Sequence, residues 1–279
     1  MKNAWIKRLF IAVATVAVLL IGFYVFGYLN NEKVPTAVVD DFKPVRLGQN
    51  PTTYSHVDKY QIPILMYHYI RDADPADELG YNLSVSPINF DLQMKWLKDN
   101  NYETMNMSDL TDKNQTTINK IFGINKKPIV ITFDDGYEDA YTAAYPALKK
   151  YNFSGTFYII RNYVGRTEYM NQSQIDALAD AGMEIGSHSL SHPNLASLAE
   201  IQQRTQIFDS KLQATSFCYP AGKYNETSVA LLKQAEYATA VTTKPGIMNE
   251  SSNIFELPRV RVENGDGAYL KSRIDALLK

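Results

Sequence analysis

An α/β fold with parallel strands is what the sequence predicts, on three observations. Residues 128–133 (PIVITF) form a near-continuous β-branched run of the kind buried on both faces of a parallel sheet. Strand-like and helix-like segments then alternate to the end of the chain. Directly after several of those strands stand Asp, His and Pro-Gly residues, so the polar groups gather beyond the carboxyl ends, where α/β folds carry their chemistry. A barrel and an open doubly wound sheet both fit this pattern.

In chain order, Lys2, Lys7 and Arg8 precede residues 9–29, which carry no charge and can cross a hydrocarbon core as a helix. The run ends in Tyr24, Phe26 and Tyr28, aromatics that favour the membrane interface, and no small-residue cleavage site follows. An uncleaved anchor is expected over residues 1–33, with the short N-terminus cytoplasmic and the rest of the chain outside the cell. Residues 34–59 are rich in Pro, Thr, Asp and Asn without a sustained period and read as a linker. A folded domain over 60–279 follows.

Residues 62–70 (IPILMYHYI) have a strand's length, and 86–100 begin with Ser86 and Pro87, good N-cap and first-turn residues, before Phe90, Met94 and Leu97 at helical spacing. After the 128–133 strand, a helix is expected over 137–151 despite Pro146, a strand over 155–160, and a helix over 173–182 that Gly182 ends. Strands over 183–187, 215–219 and 238–242 are separated by helices over 195–213 and 226–237.

Charge and composition exclude several functions. A net charge of -2 supplies no basic field for a nucleic-acid backbone. The single cysteine, Cys218, forms no internal disulfide and no multi-thiolate metal site, so a metal here is held by histidine and carboxylate. No GxSxG nucleophile motif occurs.

Asp134 and Asp135 follow one strand, His188 and His192 another, and Pro220 and Gly222 a third. Adjacent carboxylates at a strand end repel and lose solvation, which a bound cation relieves. One carboxylate and two imidazoles make a His₂Asp set with open positions for water and substrate. The serines and proline around His188 and His192 argue for a loop that converges the two rings.

TFDDG (132–136), HSLSHP (188–193) and FCYPAGKYN (217–225) resemble, in order and spacing, the first three motifs of the polysaccharide deacetylases, carbohydrate esterase family 4 or the NodB-homology group. The resemblance spans about residues 61–265. It implies a distorted (β/α) barrel that removes N-acetyl, and in some members O-acetyl, groups from cell-wall or extracellular polymers of N-acetylglucosamine. By position, Asp134 is the implied general base, and Asp135, His188 and His192 the ligands of a divalent ion, zinc first and cobalt, nickel or manganese after it. Tyr219, through its backbone N–H, and Pro220 are implied at the oxyanion and groove wall.

The chain departs from the family where most members place a general-acid histidine late. No histidine follows His192, and the only tryptophans are Trp5 and Trp96. His68 ends the first strand on the same rim, and ILMYHYI (64–70) resembles the biofilm poly-N-acetylglucosamine deacetylases, in which the acid arrives from the N-terminal side. His68 is therefore the implied acid, while His56 reads as a linker residue. Arg259 and Arg261 in LPRVRVENG are candidates to brace the base, Arg161 a candidate substrate contact, and Cys218 a small core residue. Competing readings are a non-haem iron oxygenase, which shares the His₂-carboxylate set, a glycan-binding barrel that has lost turnover, and an O-acetyl esterase.

Overall fold

The computed structural model describes residues 60–112 and 115–278. The apolar run 9–29, the linker 34–59 and His56 lie outside these residues. Among the described residues no helix is long and apolar enough to cross a membrane.

The expected alternation is present as a closed parallel barrel. Strands β1 (Gln61–Ile62) and β2 (Ile64–Tyr67) lead into helices α1 (Glu78–Leu83) and α2 (Pro87–Asp99), then β3 (Tyr102–Met105), α3 (Thr116–Gly123) and β4 (Lys127–Phe133). The pairs α4 (Tyr145–Tyr151) and β5 (Thr156–Ile159), α5 (Gln172–Asp180) and β6 (Glu184–Ser187), α6 (Glu200–Phe208) and β7 (Ser216–Cys218) follow. Helix α7 (Glu226–Gln234), β8 (Thr239–Pro245), β9 (Met248–Asn249), β10 (Leu257–Arg261) and α8 (Gly267–Asp275) complete the chain. The sheet runs β2-β10-β8-β7-β6-β5-β4, and β4 pairs back to β2, so seven parallel strands close on themselves. This rules out the open doubly wound alternative. Strand β3 shares one edge of β4 with β2, lying on Lys127–Val130 while β2 takes Val130–Phe133.

The two-residue period of the strands sorts their side chains. One row, including Ile64, Val130, Tyr158, Cys218, Val241 and Leu257, packs into one apolar cluster. The alternate residues pack in two others: Leu65, Tyr67, Ile131, Phe133 and Phe157 against α2 and α8, and Phe217, Tyr219 and Ala240 against α6 and α7.

Local signals behave as the physics of caps and turns requires. Ser86 caps α2 by accepting from the Asn89 N–H at 3.2 Å. Gly182, at φ +83, follows α5 in the left-handed region, and the Met183 N–H returns to Leu178 O at 3.0 Å. Pro146 is accommodated because the helix over 137–151 is not uniform: Ala140–Ala144 widen into π geometry, and the proline falls in the first turn of α4, where its missing N–H costs nothing. The single helix expected over 195–213 is corrected to a 3₁₀ turn at Leu195–Ser197 and a separate α6. Strands β3, β9 and β10 and helices α1, α3 and α8 have no counterpart among the expected elements.

Candidate active site

Parallel strands put the residues after β2, β4, β6 and β7 on one rim, and there His68, Asp134, Asp135, His188 and His192 meet. After β4 the chain turns sharply through two left-handed residues, Asp135 at φ 73 and Gly136 at φ 80. Aspartate tolerates that conformation, and at Gly136 a Cβ would approach Ile159 Cδ1 to 3.1 Å. The histidine loop turns in the same way, with Ser189 and His192 at φ 66 and 57. It is held by the Arg161 N–H on Ser189 O at 3.1 Å and the Asn162 N–H on Leu190 O at 2.9 Å, so the loop converges the rings as expected.

Asp135 Oδ1 lies 3.3 Å from His188 Nε2 and 3.4 Å from His192 Nε2. His188 Nδ1 sits 2.7 Å from Cys218 O, and because a carbonyl only accepts, Nδ1 carries the proton. The Nε2 lone pair then faces a carboxylate oxygen, a repulsive contact that a cation between them relieves. In the metal-free protein a proton on Nε2 plays the part of that cation. Burial disfavours a charged His188, but Cys218 and Asp135 beside it raise its pKa well above the imidazole value, while His188 holds the buried Asp135 below the carboxylate range. The thiol, itself raised by burial, stays protonated, so the negative charge that matters is that of Asp135.

The donor set fits a divalent ion. The three donor atoms lie within 4.8 Å of one another, and an ion bound at about 2.0–2.1 Å in tetrahedral geometry holds its donors about 3.3–3.4 Å apart. In a second grouping, Asp134, His188 and Cys218, the donor atoms also lie within 4.8 Å of one another, but Arg259 already supplies its cation.

Asp134 is buried and gripped by Arg259 as a fork, Nη1 to Oδ1 and Nη2 to Oδ2, both at 2.7 Å. The guanidinium is buried too, and its remaining donors are used by Thr242 O at 2.8 Å from Nε, Thr132 Oγ1 at 2.9 Å from Nη1 and Cys218 Sγ at 3.4 Å from Nη2. Burial opposes the charge on Asp134, yet Arg259 overcomes it and holds the carboxyl well below the usual range. His68 Nε2 stands 3.8 Å from Asp134 Oδ2 with its side chain 16% exposed. Burial lowers the His68 pKa; Arg259 and Arg261 act in the same direction and Asp134 and Asp135 against it.

Several sequence expectations change. Of the two arginines in LPRVRVENG, Arg259 braces Asp134; Arg261 instead donates to Asn82 O at 3.2 Å. Tyr219 does not offer its N–H to the rim, because that group donates to Val241 O at 3.2 Å, and its side chain points out of the barrel, bonded to Phe255 O and stacked on Tyr224. Pro220 is buried in the turn Pro220–Gly222. Within that turn Gly222 and Lys223 donate to Tyr219 O and Pro220 O, Cys218 O is taken by His188, and the Ala221 N–H has no acceptor among the described residues. Arg161 lines a cavity of about 600 Å³ with Ile175, Asp176 and Lys211, to which His68, Asp134, Asp135, His188 and His192 do not contribute. Cys218 is buried as expected, but its Sγ lies 3.4 Å from Asp134 Oδ2.

Comparison with known proteins agrees with this arrangement. A polysaccharide deacetylase family model matches residues 123–240. A putative polysaccharide deacetylase of Bacillus subtilis, YxkH, is 36% identical over 229 residues, covering 76% of this chain and 77% of that protein. A poly-β-1,6-N-acetyl-D-glucosamine N-deacetylase of Staphylococcus aureus is 24% identical over 273 residues, 87% of this chain and 92% of that one. Among solved structures, the Streptococcus pyogenes deacetylase PplD in complex with acetate superposes with a TM-score of 0.68 at 29% identity, over 77% of this chain and 98% of that chain. With its strand-end carboxylates and histidines assembled on a closed parallel barrel, the chain belongs to the polysaccharide deacetylases, the NodB-homology group of carbohydrate esterase family 4.

Proposed function

We propose that this protein is a metal-dependent hydrolase that removes N-acetyl groups from an extracellular or cell-surface polysaccharide containing N-acetylglucosamine. The observation that carries the reading is the pair of distances, 3.3 and 3.4 Å, from one Asp135 oxygen to two imidazole nitrogens, with a second, separately clamped carboxylate at its side. One aspartate is thereby dedicated to an ion and the other to a proton.

A divalent ion on Asp135, His188 and His192, zinc being best suited and cobalt, nickel or manganese acceptable, supplies Lewis acidity and an acidified water when bound. Asp134, kept ionised by Arg259, accepts the proton of the attacking water. His68 Nε2, 3.8 Å from Asp134 Oδ2, is the neighbouring base that takes that proton up and delivers it to the departing nitrogen. Without that proton the sugar amide anion is a very poor leaving group. The amide offered to the oxyanion is that of Ala221, which the turn leaves without an acceptor.

The S. aureus relative's own activity favours poly-N-acetylglucosamine as substrate, with peptidoglycan next. The uncharged run at 9–29 behind Lys2, Lys7 and Arg8 supports an anchored domain facing outwards. Acetate release from N-acetylglucosamine oligosaccharides by the metal-loaded protein, lost with a chelator and restored by zinc, is the expected result. Release from O-acetylated chains alone overturns the amide assignment, and release insensitive to chelation overturns the metal.

A further inference from the structure

The mechanism above makes no use of Cys218, although its thiol is fully buried against the catalytic machinery. The period of β7 turns this side chain into the barrel while Phe217 and Tyr219 turn out. There Sγ is 3.4 Å from Asp134 Oδ2 and 3.4 Å from Arg259 Nη2. The arginine N–H donates to the sulfur, and the S–H donates to the carboxylate. The main-chain oxygen of the same residue accepts from His188 Nδ1 at 2.7 Å. One residue on β7 therefore touches the base that follows β4 and a metal ligand that follows β6.

We infer that Cys218 is a positioning residue which registers the base against the metal ligands, its thiol fixing the rotation of the Asp134 carboxylate and its carbonyl fixing the His188 ring. The inference rests on the deacetylase reading for its effect on turnover. The physical need is plain. Arg259 grips both carboxylate oxygens in one plane and is itself tied to Thr132 and Thr242, on β4 and β8. Its contact with the Cys218 thiol is the one of these that reaches β7. The thiol supplies that link, using a second lone pair of Oδ2 beside the one that Arg259 Nη2 occupies. A shift of the base by a fraction of an ångström is enough to slow a proton transfer.

The chain's single cysteine makes the bond directly observable. In the wild-type protein the infrared S–H stretch is expected to be lowered and broadened relative to a free thiol, and Asp134→Asn is expected to move it back towards the free position. With Cys218→Ala, kcat is expected to fall about tenfold, the size of one lost hydrogen bond to a charged group, with KM and bound metal unchanged. Cys218→Ser keeps a donor and is expected to recover kcat to within about threefold of wild type. A free-thiol band that ignores Asp134→Asn overturns the bond, and an unchanged kcat in Cys218→Ala overturns the positioning role. If the wild-type protein releases no acetate, the deacetylase reading fails, while the infrared result still decides whether the thiol holds the carboxylate.

Discussion

Asp134 and Asp135 are neighbours in sequence with opposite partners in space, and the difference decides what each substitution does. Asp134→Asn keeps the shape but not the proton acceptor; acetate release is expected to fall by about two to four orders of magnitude while metal content, measured by elemental analysis, is retained. His188→Ala removes a proposed ligand and is expected to lose both metal and activity. Asp134→Asn protein with wild-type turnover would end the assignment of the base. His68→Ala is expected to lower kcat by about two orders of magnitude or more with metal retained; unaltered turnover moves proton delivery elsewhere. Arg259 shows why arginine and lysine differ here, since a lysine reproduces neither the fork on Asp134 nor the bonds to Thr132 and Thr242. Arg259→Lys is expected to destabilise the fold by about 3 kcal/mol or more in urea titrations, because it leaves buried Asp134 poorly paired.

At the scale of elements, the barrel depends on what each strand can admit to its interior. Gly186 on β6 has no room for a side chain: a Cβ there would meet the Tyr158 ring at 2.4 Å and Ser216 Oγ at 2.9 Å. Gly186→Ala is expected to destabilise by about 1–3 kcal/mol, read as a lower urea midpoint at unchanged slope. The same alternation explains what the linear reading missed. In β10, Leu257 and Arg259 share a face, and an arginine in an otherwise apolar row reads as a reason to reject a strand until the buried carboxylate facing it is known. Helix α5 and its Gly182 stop were legible because cap and periodicity lie within a few residues of each other. The break in the 195–213 segment was not, since Leu195 and Leu198 keep an apolar spacing through a 3₁₀ turn that then reorients the chain into α6.

For the molecule as a whole, the two groups at the heart of the site tie stability to pH. The Asp134 pKa lies below its ordinary value of 3.8, so its stabilising contribution is complete above that pH and is lost as the pH falls through the folded value. The His68 pKa lies below its ordinary value of 6.5, so the unfolded chain binds more protons than the folded one just beneath that pH, and stability again declines on acidification. Urea midpoints of the metal-free protein are therefore expected to drop as the pH falls below about 4, where Asp134 loses its charge, and a flat profile there contradicts the clamp; the His68 contribution, opposed near neutral pH by the raised pKa of His188, is read as the difference between wild type and His68→Ala as the pH falls from about 6.5. Bound metal adds stability by mass action, so chelation is expected to lower Tm reversibly. A chain lacking residues 1–33 is expected to keep acetate release and leave the membrane fraction, which separates the anchor from the chemistry.

Sequence alone determined the strand-helix alternation, the rim on which the polar residues gather, and the identity of the carboxylate and histidines there, because strand period, caps and motif spacing are short-range properties written within a few residues. Only the tertiary structure decided that the sheet closes through β2 and β4, that Arg259 rather than Arg261 clamps Asp134, that Tyr219 turns outwards with its N–H bound to Val241, and that Cys218 sits under Asp134. Those outcomes depend on the register between strands far apart in the chain. A shift of one residue would exchange every inward group for its outward neighbour, and no local pattern fixes it.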